Sequence, residues 1–224
     1  MNRIETEFRR RFTSMFGSHV STTKIATWAN ILVSLYSADR YYHNMQHPLN
    51  MLHLLDEFKE HQQGMSTQIR CDSTIEFDIF LHDAVCVPGA LHGLNERQSA
   101  DLLSVIFHDL GLGTPGSEFT QLHRHIIIDG TTHVRPVDGV WSNPGQLIHD
   151  LDLASLGAEP EIFQAQTEAV YFEYMPLGVS MEKFNEGRRK FFQPYLDREH
   201  IFGIPYFRDR FEDQARINLT EMCK

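Results

Sequence analysis

The sequence predicts an all-α fold in one domain, and three observations carry that prediction. Apolar residues recur at i+3 and i+4 along much of the 224-residue chain. Proline and glycine fall where several of these runs begin or stop. No strand–helix alternation appears, so nothing calls for a parallel sheet. The length sits within the single-domain range. A hydrophobic content of 42% with 16 Phe supplies a large aromatic core. The expected domain covers 1–224, with a core at 25–175 and C-terminal helices at 180–222 packed on it as a helical bundle.

The elements follow in order. Leu49, Leu52, Leu55 and Phe58, with Met51 and Leu54, mark a helix whose first turn suits Pro48. The apolar run 75–81 fits a strand or a helix. Ala100, Leu103, Ile106 and Phe107 mark the next helix, with a good start at Asn95-Glu96-Arg97-Gln98. An Ile-rich helix is expected at 121–129. Another at 146–156 follows Pro144-Gly145 and stops at Gly157, a normal C-terminal signal. Helix 161–174 lies between Pro160 and Pro176. Helices 181–196 and 206–222 complete the set, the last after Pro205. Loops are expected at 62–74, 88–94, 110–117 and 132–143.

Composition narrows the function. A net charge of -10 argues against a basic face for duplex nucleic acid. A small phosphorylated substrate stays compatible, because a local cationic cluster can bind it against the overall sign. Three cysteines with no C-x-x-C pair argue against a disulfide framework or a cysteine zinc site. No apolar run reaches the ~18–20 residues that span a bilayer, so no membrane partner is expected. The N-terminal MNRIETEFRRRF has no stretch suited to a signal peptide, and the expected location is cytoplasmic. A homodimer stays open.

The residues that could carry chemistry are histidines and acids. His43 and His47 are four apart, which on a helix gives a shared face. Pro48 disfavours helical backbone at the residue before it, which puts His47 at or just before the helix start. His82-Asp83 ends an apolar segment. An imidazole and a carboxylate there are costly to bury unless a cation or partner compensates. His108-Asp109 is a near-copy and competes for the same role. It is followed by Gly111, Gly113, Pro115 and Gly116, a plain loop, whereas His82-Asp83 is followed by the polar helix start at Asn95; the first pair is therefore preferred. Asp150 and Asp152 lie about 200° apart on a helix. One is expected to be a ligand, and the other a cap, an ion-pair partner or a support. His133 and Arg40 are further candidates, Arg40 for phosphate.

As a set these residues resemble a known superfamily. H…HD…D, here His47, His82-Asp83 and Asp152, is the signature of HD-domain metal-dependent phosphohydrolases. Arg40-x-Tyr42-His43-Asn44-x-x-His47, Phe80-Leu81-His82-Asp83, Asn95-Glu96-x-x-Ser99-Ala100, Thr131-x-His133 and Asp150-Leu151-Asp152-Leu153-Ala154-x-Leu156-Gly157 occur in order. Glu173-Tyr174, Gly187-Arg188 and Ala215-Arg216-x-Asn218-Leu219 follow. Together they resemble a bacterial family of predicted metal-dependent HD phosphohydrolases over roughly residues 25–220. The resemblance implies an all-helical fold, a divalent metal ion and hydrolysis of a phosphate ester or anhydride, often of a nucleotide. Tyr42-His43-Asn44-x-x-His47 is also similar to the pattern of cyclic-nucleotide phosphodiesterases, a distant branch. That branch implies His43 as proton donor and His47 as ligand, and it selects Asp152 over Asp150. The expected ligands are thus His47, His82, Asp83 and Asp152, for Mn, Fe, Co, Ni, Mg or Zn. Glu96 is expected to orient His43 or the water, His133 to meet phosphate or a second metal, and Arg40 to steady transition-state charge. The alternative is a non-catalytic metal- or nucleotide-binding sensor on the same fold.

Overall fold

A computed structural model of the protein describes residues 2–37, 40–64, 69, 74–131 and 142–224. The fold is all-α, with no strand among the described residues. Contacts divide the chain into two compact units, Met1–Ile148 and His149–Lys224.

The first unit begins with two helices that apolar spacing before residue 40 had not been used to mark. In α1 (Arg3–Ser14) the Asn2 side chain accepts from the Glu5 N–H at 2.8 Å and caps the start. Phe8 and Phe12, four apart, are its buried face. In α2 (Thr22–Ser37), Ile25, Ala29, Leu32 and Tyr36 form the buried stripe. Helices α3 (Gln46–His61), α4 (Ile75–Leu81), α5 (Leu94–Asp109) and α6 (Glu118–Thr131) follow, and α7 (Ser142–Leu153) carries the chain on into the second unit. The ambiguous run at 75–81 is helical: Ile75, Phe77, Ile79, Phe80 and Leu81 are all buried, so it shows no polar face from which a period could be read. Most of the loop expected at 62–74, and the loop expected at 132–143 as far as residue 141, lie outside the described residues.

Aromatic packing fixes α4. The Phe80 ring meets Phe8 edge-on at 4.9 Å and Phe12 at 5.4 Å. Tyr36 Oη donates to the Phe80 carbonyl at 3.0 Å. Offset and edge-on ring pairs add to what burial alone contributes. The C-terminal end of α4, which leads into His82, is therefore held from two helices.

In the second unit, α7 ends in a 3₁₀ turn (Ala154–Gly157), and α8 (Pro160–Tyr174), α9 (Met181–Leu196) and α10 (Pro205–Met222) follow. Gly157 does more than end a helix. A Cβ placed there would lie 2.6 Å from the Phe211 Cβ and 2.7 Å from its carbonyl oxygen, so α10 packs on the bare backbone. Asn218 on α10 donates to the carbonyls of Leu156 and Ala158, both at 2.8 Å. Buried Glu212 accepts from the N–H groups of Ile201 and Phe202 and from Arg216. Among the described residues, no helix is long and apolar enough to cross a membrane.

Candidate metal centre

Three of the expected ligands meet within the first unit. His47 sits in the first turn of α3, one residue inside its start. Asn44 prepares that turn: its carbonyl accepts from the His47 N–H at 3.0 Å and its side-chain oxygen from the Gln46 N–H at 2.9 Å. His43 is not on that helix. It lies in the bend before it, so the shared helical face does not form. His82 continues the helical turn of α4, donating its backbone N–H to the Asp78 carbonyl at 2.8 Å.

The His82 ring has a defined tautomer. Its Nδ1 is 2.8 Å from the Ile79 carbonyl, which can only accept, so Nδ1 carries the hydrogen. The neutral ring then presents a lone pair at Nε2. That atom is 3.1 Å from His47 Nε2 and 3.2 Å from Asp83 Oδ2, and His47 Nε2 is 3.5 Å from the same oxygen. Burial pushes the Asp83 carboxyl up. When its imidazole neighbours are protonated, His82 first and then His43 and His47, their charge outweighs burial and holds it well below the usual range. The carboxylate is therefore an anion in a nearly closed site: His82 is 1% exposed and His47 7%.

Two nitrogens and a carboxylate oxygen this close repel unless a proton or a cation lies among them. Separations of 3.1–3.5 Å suit neighbouring donors about one ion with bonds of ~2.1 Å. The donor chemistry, two imidazoles and a carboxylate, suits a divalent cation.

The remaining candidates are placed as follows. On α7, Asp150 is fully buried, and its carboxylate accepts from Gly203 N–H at 3.0 Å and Ile204 N–H at 2.7 Å, both in the second unit. Asp152, two residues on, is half-buried in that unit. Arg40, expected at phosphate, holds two backbone carbonyls. Its Nη1 donates to the Asp83 carbonyl at 2.7 Å and its Nη2 to the Ala84 carbonyl at 2.9 Å, with the Tyr36 ring 5.2 Å away. Arg40 thus braces the backbone that carries Asp83. Glu96 is half-buried on α5; burial, then the Asp83 charge, raises its carboxyl pKa. Its motif neighbours act on backbone. Asn95 brackets Val87 through both its N–H and C=O, and Ser99 does the same for Val85. His133 lies outside the described residues.

The competing pair is placed elsewhere. His108 and Asp109 are exposed at the end of α5, and the Asp109 carboxylate accepts from Lys24 at 2.8 Å and Trp28 at 2.9 Å. One neighbour of the centre was not singled out from the sequence. Cys86 places its Sγ within 4.8 Å of a His43 ring nitrogen. Its position three residues after Asp83 is the only signal that pointed there. Compared with known proteins, the chain matches no protein-family model and no curated protein.

Proposed function

We propose that the protein is a metal-dependent phosphohydrolase that cleaves a phosphate ester or anhydride of a small, nucleotide-like substrate. One observation carries the reading: the lone pair of His82, the His47 ring and the Asp83 carboxylate all come within 3.1–3.5 Å of one another. The HD resemblance supplies the fourth ligand, Asp152. Asp150 is engaged by two backbone N–H groups, which supports Asp152 as the one of the pair left for that role.

When bound, a divalent cation supplies a lowered water pKa and screens phosphate charge. The chain's own groups do the rest. The Ile79 carbonyl keeps His82 in its ligating tautomer, a support of the kind that tunes many metal sites. Arg40 holds the Asp83 carbonyl and so the aim of its side chain. His43, among the groups whose charge acts on Asp83, gives a proton to the leaving oxygen, the role that the resemblance assigns it. Glu96, with its raised pKa, holds a proton closer to neutral pH than an open carboxyl would.

The test is the full-length chain purified without chelator. Elemental analysis is expected to find stoichiometric divalent metal. A panel of nucleotides and phosphate esters with Mn²⁺ is expected to give product. Asp83→Asn is expected to lose both while keeping the helical circular-dichroism spectrum. Turnover by that variant at the wild-type rate would sink the reading. Tight binding across the panel without product would instead favour the sensor.

A further inference from the structure

We propose that Ser99 and Asn95, on the first turns of α5, are positioning residues for the metal centre and act on Asp83 through the backbone of 85–87. The inference rests on the proposed function, because it names what holds that same site in register.

Two buried serines on α5 show the difference between a local and an outward bond. A serine inside a helix can return its hydroxyl to the carbonyl one turn back. Ser104 does so, donating to the Ala100 carbonyl at 3.1 Å. Ser99, fully buried, reaches out of its helix instead. Its Oγ accepts from the Val85 N–H at 3.0 Å and donates to the Val85 carbonyl at 3.2 Å. Asn95, four residues earlier and on the same face of α5, repeats the grip. Its Oδ1 accepts from the Val87 N–H at 3.1 Å, and its Nδ2 donates to the Val87 carbonyl at 3.2 Å. These side chains do for two alternate residues what the backbone of a neighbouring strand does in a sheet.

What the gripped segment carries gives the grip its function. Asp83 stands two residues before Val85, and its carbonyl and that of Ala84 are held by Arg40. The backbone beside this ligand is therefore tied on both sides, by Arg40 ahead of α3 and by Ser99 on α5. Cys86 falls between the two gripped valines, and its Sγ lies within 4.8 Å of a His43 ring nitrogen. Glu96 stands between Asn95 and Ser99 in the chain, and after burial the Asp83 charge is what raises its carboxyl pKa. One pair of side chains thus sets where Asp83 is aimed and how α5 presents Glu96 to it. Ser104 shows that a hydroxyl on this helix can be satisfied without leaving it. The outward bonds of Ser99 fix the chain beside a ligand, as supports behind the ligands of a metal site do.

The test uses the full-length chain and three readouts: Mn²⁺ affinity per folded molecule by calorimetry, Tm, and amide hydrogen exchange at Val85 and Val87. Ser99→Ala is expected to speed exchange at Val85 and to weaken Mn²⁺ binding about tenfold, the size of an outer-support effect. Asn95→Ala is expected to speed exchange at Val87 and to weaken Mn²⁺ binding less, because Val87 is two residues further from Asp83. Asn95 is only half-buried, so this variant keeps the test readable if Ser99→Ala does not fold. Ser104→Ala is the control. It removes a buried hydroxyl from the same helix and is expected to lower Tm while Mn²⁺ affinity stays at the wild-type value. A merely structural Ser99 would behave as Ser104 does. Unchanged exchange at Val85 in Ser99→Ala, or faster exchange with wild-type Mn²⁺ affinity, overturns the positioning role and leaves the metal centre standing. A wild-type chain that takes no Mn²⁺ removes the metal centre, and the positioning role with it.

Discussion

Two clusters of histidine and aspartate in the first unit use the same residue types to opposite ends. His123 on α6 sets its Nδ1 2.9 Å from both oxygens of Asp78 on α4, and both residues are sealed, at 1% and 0% exposure. The His123 ring is wedged edge-on against Phe107 at 5.5 Å and Phe119 at 4.7 Å, and its Nε2 is buried without a partner. That is an internal tie between two helices. In the other cluster, two rings and a carboxylate crowd together, and the Asp83 side chain keeps 19% of its surface in solvent. Residue type does not separate the two clusters. What separates them is the number of lone pairs aimed at one point, and a way in.

Four substitutions can break or sharpen this contrast. The largest effect is expected from Asp78→Ala. Removing one partner of a buried pair strands the other, at a cost of ~3–5 kcal/mol. Urea denaturation would measure it, while Mn²⁺ affinity per folded molecule stays unchanged. Asp83→Ala is expected to do the reverse. Mn²⁺ affinity should fall by at least ~100-fold, beyond what loss of an outer support costs, as read by calorimetry, with the helical spectrum kept. If Asp78→Ala lost the metal and Asp83→Ala did not, the roles of the two clusters would be exchanged.

Arg40→Met comes third. It keeps an apolar stem and frees the carbonyls of Asp83 and Ala84. About tenfold weaker Mn²⁺ binding is expected, the size of an outer-support effect. A direct phosphate contact would instead show as lost substrate affinity at unchanged metal affinity. Glu96→Gln is the smallest. Its folded-state pKa lies above the ordinary 4.5, so the folded protein holds this proton more tightly than the unfolded chain. Stability therefore falls as pH rises from 4.5 through the raised value, and the loss persists above it. Glu96→Gln should match wild type below pH 4.5 and exceed it at pH 7, by less than ~1 kcal/mol because the side chain is partly solvated. Thermal melts across pH would show it.

Much of this was legible in the sequence where the signal was local. The helix at 181–196 falls where apolar spacing set it, and the last one begins at Pro205, one residue before the expected start. The two helices before residue 40 were legible too. Ile25, Ala29, Leu32 and Tyr36 have plain helical spacing, but the N-terminus was read only for a leader. Long-range pairing was not legible. No spacing connects Asp78 to His123, 45 residues away, or Asp150 to the N–H groups of Gly203 and Ile204. The grip of Arg40 on the carbonyls of Asp83 and Ala84 was not legible either, because nothing in its neighbourhood of the sequence names them. Asn44, Asn95 and Ser99 stood in the recognised motifs without a role; each turns out to restrain backbone beside the centre.

The grip of Asp150 on the amides of 203 and 204 has a consequence for how far the chain can be shortened. Those two amides lead directly into the final helix, and no water reaches the acid that they satisfy. Trimming the protein before residue 203 would take two amide donors from a buried carboxylate in the second unit, and with them the helix that follows. The last stretch of sequence is a keystone for that acid, and a version of the second unit that ended with α9 would lose both amides that Asp150 holds.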